Sequence, residues 1–189
     1  MASEVRRIAA SALLSSAFLP RLCQGEAALS VKMDVKALIV DPIGNMPVVI
    51  LRDEEEKNFL PIWVGVFEAN AIALQMEGIT TPRPMTHDLL KNLITQIEGD
   101  VLRVVISSLK ENTFYAQIHL RVANKDVLID SRPSDAIALA LRLQAPVFVE
   151  ESVLEMSRSG EDTADAQNSE RLRKWLEEAD PDTLGKYRM

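Results

Sequence analysis

Short apolar runs bounded by turn residues predict β-structure in the first third of the chain. The segment Asp41–Asn45 contains Pro, Gly and Asn, which favour a tight turn, so the apolar runs on either side of it predict a β-hairpin. A third run contains Pro61, and since proline donates no hydrogen bond to a neighbouring strand, this run favours a sheet edge or the start of a strand. These strands are predicted at Val35–Val40, Met46–Leu51 and Phe59–Val64.

Two helices are predicted next, because apolar residues recur at three- and four-residue spacing. The first spans 68–77 and ends at Gly78. The second spans about 87–98, with Thr86 as its N-terminal cap and Gly99 at its end. It carries an apolar stripe, typical of a helix that packs on a core, formed by Leu89, Leu90, Leu93, Ile94 and Ile97.

The second half of the chain repeats this order of signals. Thr113–Val122 alternates apolar and polar residues, as a half-buried strand does. Pro133 fits the first turn of a helix predicted over Ser134–Leu143, since that position needs no N–H group. Further strands are predicted at Val101–Ile106, Val127–Asp130 and Val147–Glu150, with turns at Lys110–Asn112 and Asn124–Asp126.

The repeated order predicts an internal duplication. Ala71–Leu74 and Ala136–Leu139 share the letters Ala-Ile-Ala-Leu about 65 residues apart. Two strand-hairpin-strand-helix units can bury each other's sheet faces, which one unit alone could not do. We therefore expect a single α+β domain over Met33–Met156, with a mixed, mainly antiparallel sheet packed with helices. The alternative is a chance match of four common letters.

The two ends of the chain differ from this domain. Residues 1–32 form a leader that resembles a weak signal peptide, or else an over-extended start with translation beginning at Met33. Residues 157–168 are polar, as in a linker, and 169–189 predict a C-terminal helix at Ser169–Ala179 and a tail. No stretch suggests a membrane span. We expect a cytoplasmic protein, or an exported one if the leader is a signal peptide.

Composition and charge limit the possible chemistry. The 189 residues carry a net charge of −7, so any nucleic-acid binding needs a local basic patch or bridging cations. The single cysteine, Cys23, excludes a disulfide framework and a thiolate zinc cluster within one chain. With only two histidines, a His-rich metal site is excluded, whereas a carboxylate site is possible.

A first polar cluster precedes the second predicted helix. Arg83 lies between two prolines, which restrict its backbone, and His87 and Asp88 fall in the first helical turn. An arginine beside a helix N-terminus suits a phosphate group. The alternative is that Thr86 and Asp88 are ordinary helix-start residues and that His87 is a surface or capping residue.

A second cluster follows the strand predicted at Val127–Asp130. There Asp130, Arg132 and Asp135 surround a strand-to-helix turn, and Glu68 begins the helix of the first unit. If both turns face one pocket, their carboxylates could hold a hard divalent cation that activates water at a phosphate. The alternative is a structural ion-pair network around the turn.

Several separated segments together resemble the bifunctional nuclease domain family. The resemblance covers about Met33 to Met156. It implies an α+β fold, homodimers and the ability to degrade both DNA and RNA. The segments that carry it are Leu60–Gly65, Glu68-Ala69, Arg83–Leu90, Thr113–Ala116 and Asp130–Leu139.

We predict from these residues a nuclease with little sequence preference. Arg83, Arg132 and Ser134 are the candidates for substrate binding. Glu68, Asp130 and Asp135 are the candidates for holding Mg²⁺ or Mn²⁺ or for activating water, and His87 is the candidate general acid. Asp88 is included as a further catalytic candidate. The alternative function is a non-catalytic dimeric regulator or ligand-binding module.

Overall fold

The computed structural model describes residues 29–41 and 44–159. The predictions for 1–28 and 160–189 lie outside these residues, including the C-terminal helix and most of the leader and linker. Within the described residues, no helix is both long enough and apolar enough to cross a bilayer. The strands are β1 (Ser30–Val40), β2 (Pro47–Arg52), β3 (Phe59–Trp63), β4 (Gly99–Lys110), β5 (Thr113–Val122), β6 (Lys125–Ser131) and β7 (Val147–Glu150), and the helices are α1 (Val66–Met76), α2 (Thr86–Gln96), α3 (Pro133–Leu143) and α4 (Glu151–Ser159).

The seven strands form one sheet in the order β3-β2-β1-β7-β4-β5-β6. Five neighbouring pairs are antiparallel, and β4 with β7 is the parallel pair. This confirms the predicted α+β class and the mixed, mainly antiparallel sheet. The edge position predicted for the strand that contains Pro61 is also confirmed, because β3 forms one edge.

The sheet contains two three-stranded meanders, β1-β2-β3 and β4-β5-β6, each followed by a helix, α1 and α3. The second meander has two-residue turns at Glu111-Asn112 and Ala123-Asn124, whose positive φ angles, between 47° and 60°, suit the twist of a tight hairpin. β7 lies between the meanders and joins them into one sheet. The order of elements up to β7 is as predicted, whereas α4 was not predicted, and the duplication itself stays a prediction.

The core lies on the sheet face covered by α1 and α3, which contact each other. Small side chains at Ala69, Ala73, Ala136 and Ala140 are all at most 5% exposed and let the two helices approach closely. Ile72 and Ile137, both fully buried, fill the space between helices and sheet. The N-terminal ends of α1 and α3 are thereby fixed relative to each other.

The apolar stripe predicted to bury α2 is largely open to solvent, which corrects the expected packing. Leu89, Leu93 and Ile97 are 54%, 53% and 55% exposed, whereas Ile94 packs against the core. The reason is that α2 contacts α3 and β4 but stands away from β5 and β6. An open space therefore separates α2 from the second meander.

The domain ends differ from the predicted boundaries. β1 begins at Ser30, and Ser30–Met33 pair with β7, so three residues assigned to the leader belong to the sheet. At the other end, α4 runs to Ser159, into the segment predicted as a linker. Val153 and Leu154 in α4 are 0% and 2% exposed and belong to the core.

Candidate active site

The turn from β6 into α3 fixes the position of Arg132. Because Pro133 opens the helix, Arg132 is confined to an extended backbone conformation, with φ −70° and ψ 145°. Pro133 itself is buried, which anchors the turn against the protein. Asp135 follows one turn later on the same side, within reach of the Arg132 guanidinium.

Arg132 joins two carboxylates from two different helices. Its Nε donates to Asp135 Oδ2 at 2.8 Å, and its Nη2 donates to Glu68 Oε1 at 2.9 Å. The Arg132 side chain is 66% exposed, whereas those of Asp135 and Glu68 are 29% and 19% exposed. The predicted convergence of the α1 and α3 turns is therefore present, with a guanidinium at its centre.

His87 extends this chain from the start of α2. Its Nε2 lies 3.0 Å from Asp135 Oδ1, and its side chain is only 9% exposed. Burial alone would raise the pKa of Asp135, but the hydrogen bonds from Arg132 and His87 outweigh it and lower the pKa. An ionised carboxylate only accepts hydrogen bonds, so His87 Nε2 donates the proton in this bond.

Asp88 belongs to a second contact set that joins α2 to α3. Its Oδ1 accepts from Arg142 Nε at 2.6 Å, and its Oδ2 accepts from the backbone N–H of Met85 at 2.9 Å. The hydrogen bond from Arg142 lowers the pKa of Asp88. The helix start is thus capped by Asp88, and the capping role expected of Thr86 is wrong because Thr86 is already the first helical residue.

Three predicted site residues differ in their surroundings. Asp130 is exposed at the end of β6, and among the described residues its carboxylate has no hydrogen-bond or salt-bridge partner. Ser134 is 7% exposed and faces the interior. Arg83 is exposed in the loop before α2, where its carbonyl accepts a hydrogen bond from the Thr81 hydroxyl at 2.7 Å.

A groove of about 990 Å³ separates α2 from β5 and β6 and has the His87–Asp135–Arg132 chain at one end. We call it the α2–β5 groove. The polar end also contains Asp130 and Ser131, whereas Arg83, Asp88 and Ser134 do not line it. The apolar walls are formed by Leu90, Leu93, Ile94, Ile97, Phe114, Tyr115, Ile118, Leu120, Ile129 and Leu139.

A divalent cation such as Mg²⁺ or Mn²⁺ requires several oxygen ligands close together. Within residues 29–41 and 44–159, no three His, Cys, Asp or Glu side chains are grouped so that they could hold one ion. The carboxylates of Glu68 and Asp135 both bind Arg132, which supplies the positive charge between them. These residues do not fit a preformed metal cage, and Mg²⁺ or Mn²⁺ stays a prediction.

Two contributors to this region were missed in the sequence. Arg142 is 7% exposed and pairs with a residue 54 positions away, and no local pattern signals such a contact. Phe114 lines the groove from β5, where the alternation of apolar and polar residues indicates only an inward-facing position. The apolar stripe of α2 and the aromatic residue of β5 are both visible in the sequence. They indicate a groove only once the position of α2 relative to β5 is known.

The fold and the polar end of the groove define an α+β domain in which the starts of α2 and α3 present a His-Asp-Arg chain. The family profile of the bifunctional nuclease domain matches residues 49–161, and the chain belongs to this family. The uncharacterized protein Rv1829 of Mycobacterium tuberculosis is 42% identical over 120 residues, covering 64% of this chain and 71% of that protein.

Plant proteins named as nucleases are more distant relatives. Bifunctional nuclease 1 of Oryza sativa subsp. japonica is 23% identical over 140 residues, covering 72% of this chain and 42% of that protein. Bifunctional nuclease 2 of Arabidopsis thaliana is 27% identical over 116 residues, covering 56% and 35%. The matched region is thus less than half of each plant protein.

Proposed function

We propose that this protein is a nuclease that hydrolyses phosphodiester bonds in DNA or RNA with little sequence preference. The observation that carries the proposal is the Arg132–Asp135–His87 chain at one end of a large groove, with Glu68 binding Arg132 from outside the groove lining. It combines a cation for phosphate with an oriented imidazole for proton transfer, which are two requirements of phosphodiester hydrolysis. Family membership and the names of the plant relatives support the same activity.

Each group has a role that follows from its contacts. Arg132 uses Nε and Nη2 for its two carboxylates, so Nη1 is the nitrogen that would bind a phosphate oxygen. His87 donates its Nε2 proton to Asp135, so as the general acid it would be the doubly protonated imidazolium, whose Nδ1 would donate the second proton to the leaving oxygen. Asp130, the carboxylate that has no described partner, would accept a proton from the attacking water.

The decisive experiment measures cleavage of labelled DNA and RNA oligonucleotides by the purified full chain. We expect His87→Ala and Asp135→Ala to lower the rate by about 10²–10⁴-fold, because the proton donor or its orienting partner is lost. Asp126→Ala is the matched control, since its carboxylate is an exposed partner of Arg121 outside the groove. Wild-type rates in both site variants would contradict the proposal.

A parallel assay with EDTA tests the predicted Mg²⁺ or Mn²⁺. Loss of cleavage on chelation, restored by either ion, is the result expected if a cation assists. Unchanged cleavage in EDTA would remove the cation from the proposal and leave the Arg132-centred chemistry in place. Circular dichroism of the chelated protein controls for unfolding.

A second candidate function is a non-catalytic regulator or ligand-binding module. The net charge of −7 and the apolar walls of the α2–β5 groove favour it over a phosphate-tracking enzyme. A thermal-shift screen with nucleotides and divalent ions separates the two functions. Stabilisation by a small ligand, without turnover of any nucleic acid, would favour the binding module.

The proposal includes a homodimer formed through the free edge of β6. All side chains from Lys125 to Asp130 are exposed, among them Val127 at 42% and Leu128 at 54%. An exposed apolar edge strand is a template for pairing, and antiparallel pairing of two β6 strands would give a symmetric interface.

We further propose the cytoplasm as the location of the activity, with export the alternative if residues 1–32 act as a signal peptide.

A further inference from the structure

We infer that the α2–β5 groove binds unpaired nucleobases, so that the substrate is single-stranded DNA or RNA rather than a duplex. This inference rests on the proposed nuclease function and specifies its substrate. It concerns the apolar part of the groove, to which the proposed chemistry assigns no role.

The walls of the groove are suited to flat apolar faces. One wall is a helix surface with Leu90, Leu93 and Ile97, and the other is the strand surface with Phe114. Phe114 is half-buried and shares the sheet face of Ala116 and Ile118, which is the face toward the helices. Bases present such faces only when they are unpaired, and stacking on aromatic side chains then contributes much of the affinity.

The charges around the groove argue against binding through the phosphate backbone of a duplex. Among the lining residues, Arg132 is the single Lys or Arg, and Asp130 and Asp135 are both acidic. A protein that binds duplex DNA or RNA makes a row of contacts to phosphates, whereas one or two cations are enough for binding a short single strand.

The apolar part of the groove is placed to bind the base of one nucleotide, and the polar end is placed to bind its phosphate. A base between α2 and Phe114 would leave its phosphate toward the end that contains Arg132 and His87. The groove volume of about 990 Å³ is larger than the volume of a single side chain. It lies within the range of sites for organic ligands, about 300–1,000 Å³. The base would then hold the scissile phosphate beside the proposed proton donor.

The test measures binding of phosphorothioate oligonucleotides, which resist hydrolysis, by fluorescence anisotropy. One probe is a single strand, and the other is the duplex of the same sequence. We expect at least a tenfold preference for the single strand. Raising salt from 50 to 200 mM should weaken binding only about three- to sevenfold, as one or two phosphate contacts imply.

A matched pair of variants on α2 isolates the groove. Leu93 and Leu89 lie on the same helix with 53% and 54% exposure, but only Leu93 lines the groove. Leu93→Glu should weaken single-strand binding by tenfold or more, and Leu89→Glu should leave it unchanged. Equal effects of the two substitutions would overturn the inference.

A second pair at Phe114 keeps the test independent of α2. Phe114→Ala should weaken binding about five- to 150-fold, the range measured for loss of one stacked base, while Phe114→Tyr should retain affinity. Equal binding by both variants would overturn the inference. So would a change from dimer to monomer in Leu93→Glu by light scattering, because the groove would then be an interface between copies.

The outcomes separate this inference from the proposed function. Cleavage of duplex and single strand at equal rates would overturn the inference and leave the nuclease proposal intact. Single-strand binding without cleavage of any nucleic acid would overturn the nuclease proposal and keep the groove as a base-binding site.

Discussion

Arg132 and Arg142 lie at opposite ends of α3, and their guanidinium groups differ in solvent exposure. The side chain of Arg132 is 66% exposed, so solvent or a phosphate can reach it although it binds two carboxylates. That of Arg142 is 4% exposed and is enclosed by Asp88 and the carbonyl of Ala138. The first group can exchange a partner for a ligand, whereas the second holds α2 against α3 and so keeps His87 in place.

Replacing Arg142 should therefore destabilise the protein through α2. In Arg142→Ala the carboxylate of Asp88 loses its partner in a partly buried place, and we expect the free energy of unfolding to fall by about 3 kcal/mol. Urea denaturation measures the change. The control is Arg121→Ala, whose pair with Asp126 is exposed and should contribute at most about 1 kcal/mol. Equal losses in the two variants would contradict this role.

Acidification should destabilise the protein through Asp88. Hydrogen bonds from Arg142 and Met85 lower the pKa of Asp88, so the folded state binds its proton less readily than the unfolded state. The resulting stability is present above pH 4 or so and is lost as the pH falls through the folded-state pKa. Asp88→Asn should be less stable near neutral pH but should lose less stability below pH 4. Urea midpoints from pH 2 to 7 test this, and parallel curves for the two proteins would contradict it.

At the level of elements, α2 and α4 differ in how much of their apolar surface is buried in the core. The polar-looking helix α4 contributes two fully buried side chains, Val153 and Leu154. The strongly amphipathic helix α2 leaves most of its apolar stripe exposed along the α2–β5 groove. Burial thus depends on where a helix is anchored, because α4 follows β7 directly and is held against β4 and β7.

Removing the core contact of α4 should show that it belongs to the folding unit. Leu154→Ala leaves a cavity under the helix, and we expect a loss of about 2–4 kcal/mol in the free energy of unfolding. Met156, on the same helix, is 48% exposed, and Met156→Ala should change stability by less than about 0.5 kcal/mol. If the two variants unfold at the same urea concentration, α4 does not support the core.

For the molecule as a whole, the two sheet edges are unequal. β3 has Pro61 in its middle, which weakens any pairing with another strand. β6 has no proline and exposes apolar side chains on both faces. Of the two edges, β6 is therefore the one that suits the proposed homodimer, in which the sheet would extend across two copies.

The β6 dimer predicts a mass that depends on this edge. Light scattering after gel filtration should give twice the chain mass for the wild type and a lower mass for Leu128→Lys, because two lysines would then oppose each other at the interface. Leu89→Lys, at an equally exposed leucine on α2, is the control and should stay dimeric. A monomeric wild type, or a dimeric Leu128→Lys, would contradict this interface.

Local patterns were sufficient for most of the secondary structure. Alternation of apolar residues predicts β5, and the turn residues around Asn112 and Asn124 end its hairpins, because strand period and turn geometry are properties of a few adjacent residues. Pro61 and Pro133 likewise act through their own backbone restrictions. The strand-to-helix turns with Glu68, Asp130 and Asp135 were therefore predictable as polar sites.

Contacts between distant segments were not predictable in this way. The pairing of His87 with Asp135 spans 48 residues and that of Asp88 with Arg142 spans 54, so both depend on how α2 docks on α3. The same docking leaves the α2 stripe open, although its spacing is that of a buried helix. The sequence specifies which surfaces of each element are apolar or charged, because that follows from local periodicity. Which of these surfaces meet, and which remain free to form a groove, depends on the packing of the whole sheet and its helices.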